Sequence, residues 1–485
     1  NYSSTQIFAV PADGSGSLIS VFSTEGDMGS FLGGVDGNIQ GMTDTVSPMV
    51  MEKYPASAAT AVPTTAVITA TFNEVMLVSS ITNSSFTVTG GAGQIAGAVS
   101  YDSASRTATF TPAARLANVD FYTVNLTSAI KDAAGNALNP VSWSFATASK
   151  NIWNQSTGGS WNSPLNWTLN TVPTGTHEVE INDGGCINCT ITIDATSAAL
   201  SLDIMGTTAT MTLSMSANSL TISNGGSVST SGRIVQSGGT LTGGGTLTVA
   251  GGFTWTGGTI SGAGALVTTG TTTVSLSATT KYLSGRTWTQ SGVATFSDTS
   301  WIYINNGGVL NNTAGGVLNL NTSNTTPINY TGPGTAALTN AGTLIQQATG
   351  SHSINSTVLF TNTGTVNVAT GTLERGGDFT NSGTLSIASG AMLNLTGGTT
   401  NLDAGTALTG TGTLQVAGAT LSINTPLTFS ASTPLLTLAS GTLTGAGAIN
   451  VETAFTWTGG TISGAGALVT TGTTTVSLSA TTKYL

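Results

Sequence analysis

Two carboxylate groupings are the first residues in this chain whose types and spacing could do chemistry. Glu178 and Glu180 stand two residues apart in HEVEIND, and Glu374 and Asp378 flank Arg375 in LERGGDF. Two carboxylates facing one another across a cleft can cleave a glycosidic bond. Residues 151–485 hold just ten acidic side chains, and these two groupings read as solvated surface. A nucleophilic triad needs a positioned histidine, but His177 and His352 sit in no recognisable motif. Cys186 and Cys189, in CINC, are the only cysteines. Their spacing admits a short-loop disulfide, two free thiols, a redox pair or half a metal site. Asp132 and Asn136 in KDAAGN could help ligate calcium. The blander reading is a turn, with Asp and Asn bonded to nearby backbone and Gly135 taking the positive φ. GGVDGN (Gly33–Asn38) is a lone echo of calcium-binding repeats, and no phosphate-cradling loop is present. The expectation is a protein that is not an enzyme, with no catalytic residue and no cofactor beyond that calcium candidate.

The elements that must position these residues are strands. Phe253–Leu283 returns letter for letter as Phe455–Leu485, an offset of 202 residues. Within it, short apolar-alternating runs (FTW, TIS, ALV, TVSL) are separated by GG, GAG and TTG. Alternation marks half-buried strands, the glycines mark turns, and repetition at this scale marks stacked repeats. From Thr190 onward the chain therefore reads as a right-handed parallel β-solenoid. A period near 20 residues predicts roughly fifteen rungs, about 4.8 Å apart. Leu220, Ile222, Leu241, Leu247 and Val249 are expected to point inward. Asn311, Asn312, Asn319, Asn321, Asn340, Asn362 and Asn381 recur beside turns, where stacked amides can form ladders. A solenoid ends in an atypical capping repeat, and the second copy stops without one, so the natural chain is expected to run on past Leu485.

Composition narrows the function. Charged residues are 6% of the chain and the net charge is −10. No run of about 18 apolar residues exists, so membrane insertion of this segment is not expected. There is no basic patch, which makes nucleic acid a poor partner. Regularly spaced Val, Leu, Ile and Phe can supply a continuous core, which argues against disorder.

Residues 47–149 read as a sandwich of short strands with turn signals between them. The order YPASAATAVPTTAVITATFNEVM, YDSASRTATFTPA and LTSAIKDAAGNALNPVSWSFAT closely resembles the bacterial Ig-like domain of surface-layer and other exported proteins. That resemblance implies a spacer or assembly module rather than an enzyme. Residues 150–189 are Trp-rich, and IWNQSTGGSWNSPLNWTLNTVPTGTHEVEIND resembles the opening segment of exported, adhesin-like β-solenoid proteins. Trp153, Trp161 and Trp167 can cap the first rung, whose edge otherwise invites pairing. A sugar-stacking platform is the alternative. Residues 1–46 form an arm or linker with two strand-like pieces, TQIFAV and SLISVF. Their Ile7, Phe8, Val10, Leu18, Ile19, Val21 and Phe22 could donate a strand to a neighbouring molecule by β-augmentation.

The whole is an all-β chain: arm, Ig-like sandwich, then solenoid. The functional expectation is a secreted or cell-surface, adhesin-like structural protein, found outside the cell as a filament or matrix-fibre subunit that associates with itself. A solitary adhesin, a module binding surface glycans or other matrix components, or a β-helix polysaccharide-degrading enzyme are the alternatives.

Overall fold

The computed structural model describes residues 7–9, 19–21, 44–183, 186–207, 209–275, 279–477 and 483–484. Two compact units divide at Ser149/Lys150.

In the first unit, two antiparallel-rich sheets enclose one core. Val50–Tyr54, Ile68–Phe72, Thr107–Pro112 and Gly97–Asp102 form one sheet, in that spatial order. The other holds Ala59–Val62, Val141–Thr147, Phe121–Leu126, Phe86–Gly90 and Gly93–Gln94. Alternation decides which side chains enter: Ile68, Ala70 and Phe72 are buried, while Thr69 and Thr71 between them are half-buried on the outer face. Rings meet in the core, with Phe86 and Phe110 5.9 Å apart and Tyr122 stacked on Phe145 at 5.4 Å. Earlier in the chain, Ile7–Ala9 pairs antiparallel with Ile19–Val21.

The second unit is a parallel β-solenoid of about 13 turns. Each turn carries up to three short strands. Two of the three faces belong to one 28-stranded sheet, and the third is a 12-stranded sheet followed by a 3-stranded one. Leu220, Ile222, Leu241, Leu247 and Val249 are all buried, in one continuous core that runs from the indoles of Trp153, Trp161 and Trp167 to Phe455. The turn length is not constant, which is why turns are fewer than a uniform period near 20 predicts: 19 residues separate Asn362 from Asn381, and 28 separate Asn312 from Asn340. Extra residues are absorbed at the corners while strand register is kept. The corners are tight. Gly243 holds a φ of 151°, and a Cβ there would overlap the carbonyl of Ile222 in the turn below, so only glycine fits.

One inward column is polar. Thr268, Gln290, Asn312, Asn340, Asn362 and Asn381 lie in register on successive turns, and each is at most 1% exposed. Asn312 donates its amide to Asn340, Asn340 to Asn362 and Asn362 to Asn381, each at 2.6 Å. Each Nδ2 also reaches a nearby glycine carbonyl, as Asn381 does to Gly383 at 3.0 Å. Of the seven asparagines expected in ladders, four form this one. Asn311 instead accepts from Thr339, and Asn319 donates to Thr295.

Candidate functional site

Of the carboxylates expected as solvated surface, Asp378 is exposed and Glu374 half-buried, but the other pair is not so placed. Glu178 and Glu180 lie on the strand His177–Asn182 and are 4% and 8% exposed. Glu180 is bound on both oxygens, by Lys150 Nζ at 2.7 Å and Asn182 Nδ2 at 2.6 Å. Charges are buried only when paired or hydrogen-bonded, and the Glu180 carboxylate meets that condition through structural partners, not across a cleft from a second acid.

Arg375 also departs from the surface expectation. It is 2% exposed, and its guanidinium donates to the backbone carbonyls of Ile354, Asn355, Val358 and Asp378. The planar fork of five donors suits a corner where several carbonyls converge. Arg286 repeats the device, donating to the carbonyls of Ser261, Gly245 and Ala265 on the two turns before it. Burial pushes both guanidinium groups down to about 10. Lys281 is buried too, its ammonium 5.8 Å over the Trp301 ring, and burial lowers it to about 8. Each arginine stands next to a corner glycine (SGRTW, LERGG), the cue in the sequence for these staples.

Neither histidine is set up as a base for a nucleophile. His177 Nδ1 is held by the Thr174 backbone N–H at 3.0 Å, and buried His352 pairs with Gln346 at 2.6 Å. Burial lowers the pKa of both. Cys186 and Cys189 are disulfide-bonded and buried, so the free-thiol and half-metal readings fall away.

The three indoles of the Trp-rich segment pack edge to face, Trp153 on Trp167 at 5.1 Å and Trp161 on Trp167 at 4.8 Å. Trp167 Nε1 donates to the Trp161 carbonyl at 2.7 Å. Trp161, Trp167 and Trp255 are 0% exposed. An indole with no free face cannot stack on a sugar, which removes the platform reading from these residues.

Asp132 and Asn136 do form the expected turn. Asn136 donates its backbone N–H and its Nδ2 to the two oxygens of Asp132, each at 2.8 Å, and Gly135 has a φ of 97°. The sandwich adds what sequence reading missed. Carboxylate oxygens of Asp44, Glu74 and Asp132 lie within 4.8 Å of one another. Burial, then the charges of Asp132 and Asp44, raise the pKa of Glu74. Three hard oxygen donors fit the chemistry of calcium. No local spacing in the chain could have shown that three separate loops meet.

Of the proposed strand donors, Ile7, Phe8, Ile19 and Val21 lie in the paired strands Ile7–Ala9 and Ile19–Val21. Val10, Leu18 and Phe22 lie outside the described residues, as does the GGVDGN stretch. The two pieces thus satisfy one edge of each other instead of standing alone.

These features define an all-β structural class, an Ig-like sandwich followed along the chain by a parallel β-solenoid. Residues 44–147 match the family of bacterial Ig-like domains. No curated protein matches the chain. Partly similar solved structures include surface layer protein SbsC, domains 1–6, at 17% identity over 23% of this chain and 16% of that chain, with a TM-score of 0.17. The N-terminal part of the bacterial S-layer protein SbsC is 19% identical over 24% of this chain and 28% of that chain, with a TM-score of 0.18. The chain therefore spans less than a third of either structure. The Ig-like match points to a surface or exported structural protein. No helix among the described residues is long and apolar enough to cross a membrane.

Proposed function

We propose that this chain is a secreted, non-catalytic subunit of an extracellular filament or matrix fibre, and that it acts by self-association and surface display. The observation that carries this reading is the small sheet of Ile7–Ala9 and Ile19–Val21. It is apolar, two-stranded and, among the described residues, paired with nothing else. A lone two-stranded sheet is marginal in water, and its open edges lower their free energy by adding a strand from another copy. Filament formation through the solenoid ends alone is disfavoured by the buried indoles of the first turn.

Removing residues 1–43, which spares Asp44, is expected to abolish fibres in electron micrographs while leaving the circular dichroism spectrum of the folded units intact. Fibres of unchanged axial repeat in the truncated protein would sink the proposal, and isolated rods in the full chain would favour a solitary adhesin. As the one cofactor, we propose calcium held by Asp44, Glu74 and Asp132. Millimolar calcium should raise the melting temperature of the Ig-like unit by several degrees, since one kcal/mol moves a domain of this size by about 4–8 °C. Asp132→Asn should erase the rise; a melting curve blind to calcium excludes the site.

A further inference from the structure

At the start of the second unit, one carboxylate holds both an amine and a carboxamide. Ser149–Ile152 lies beside His177–Asn182 in the 28-stranded sheet, and the Trp153 N–H donates to the Glu180 carbonyl at 2.9 Å. Period-two alternation turns Val179 and Ile181 into the core and sets Glu178, Glu180 and Asn182 together on the other face. Glu180 then accepts from Lys150 Nζ on one oxygen and from Asn182 Nδ2 on the other, at 2.7 and 2.6 Å. A salt bridge needs only the lysine; the carboxamide beside it adds an acyl carbon that an amine can attack.

Amines and carboxamides do not react in dilute water, yet groups fixed as neighbours react at effective concentrations that no solution reaches. A group that moves a proton must sit within about 2.6–3.2 Å of the atom that carries it, and Glu180 meets that limit at both nitrogens. Glu180 is buried, so its two hydrogen bonds are made in a low dielectric, where they hold their partners firmly. The Lys150 side chain is 37% exposed, which gives a small leaving group a path to solvent.

We propose that Lys150 and Asn182 are the reacting ends of an intramolecular amide cross-link, with Glu180 as its proton relay. The bond from Lys150 Nζ to Asn182 Cγ forms, and the Asn182 Cγ–Nδ2 bond breaks. The lysine ammonium gives up two protons, both relayed through Glu180 to the departing nitrogen, which leaves as ammonium. Nothing is oxidised or reduced, and Glu180 ends as it began. The event happens once per chain, so it makes the protein no enzyme, and it stands apart from the filament reading, which rests on the arm. Its product is a ring from Lys150 to Asn182 that contains Trp153, Trp161 and Trp167. Closing that ring ties the first turn covalently to the strand that leads into it and removes loop entropy from the unfolded chain.

The test is mass spectrometry of the purified full chain. A deficit of one ammonia is expected relative to the disulfide-bonded sequence. Trypsin should fail at Lys150, so that one Asp132–Arg233 peptide replaces Asp132–Lys150 and Asn151–Arg233. Lys150→Arg, which keeps a cation beside Glu180, and Glu180→Gln should each abolish the deficit, with the circular dichroism spectrum unchanged. A native chain at its full sequence mass overturns the proposal. So does a deficit that persists in Lys150→Arg or Glu180→Gln, because Asn182 would then be losing ammonia to its own backbone.

Discussion

Arg375→Ala is expected to lower the unfolding free energy of the solenoid by about 4 kcal/mol, more than any other side-chain truncation predicted for this protein. The guanidinium holds carbonyls of Ile354, Asn355 and Val358 on one turn and of Asp378 on its own. Truncation removes all these charge-assisted bonds, orphans buried acceptors and leaves a cavity at the corner. Arg375→Lys should recover about half of the loss, because an ammonium is a single point and cannot span carbonyls that a planar fork reaches together. Urea denaturation followed by circular dichroism measures both variants. A loss below about 1 kcal/mol for Arg375→Ala would show that water replaces the guanidinium at little cost. Solenoid turns contact mainly their neighbours, so the damage should concentrate nearby, and amide exchange should quicken first in Ser351–Ile354 and Val358–Asn362.

The second large effect concerns the buried amide ladder. Asn340→Ala should cost about 3 kcal/mol. It removes the acceptor of the Asn312 amide and the donor to Asn362 Oδ1. It also deletes the bond from Asn340 Nδ2 to the Thr365 carbonyl at 3.0 Å. A surface control is Asn367→Ala, on the outer face of Thr365–Val368, where a change within about 0.5 kcal/mol is expected. The same denaturation experiment decides the matter: equal midpoints for the two variants would mean that the ladder contributes nothing specific. Asn340→Leu offers a sharper comparison, since it fills the space while leaving the same two amides short of a partner. If unsatisfied polar groups dominate, it should be nearly as damaging as alanine.

Much of the fold was legible in the residues themselves. Period-two alternation picks out Leu220, Ile222, Leu241, Leu247 and Val249 as inward, and all five are buried. Alternation is a property of a strand alone: successive side chains must point to opposite faces. The short strands of the sandwich and the glycine corners were readable for the same local reason, whereas the Ig-like order came from the resemblance of its segments to a known domain. The ladder was half legible. Seven asparagines near turns were visible, but which four align depends on corner lengths that vary from turn to turn. The cation candidate was legible at Asp132 only, because Asp44 and Glu74 arrive from other loops.

The residues of Phe253–Leu283 and Phe455–Leu485 mark the boundary between the two kinds of information. Among the described residues, their identical sequence determined the same strands and turns in both copies. Only the tertiary structure decided that Val274 is sealed under Phe296, that Arg375 is buried among carbonyls, and that Glu180 is enclosed beside Lys150. Burial is set by whatever packs against a residue, and those neighbours come from distant parts of the chain.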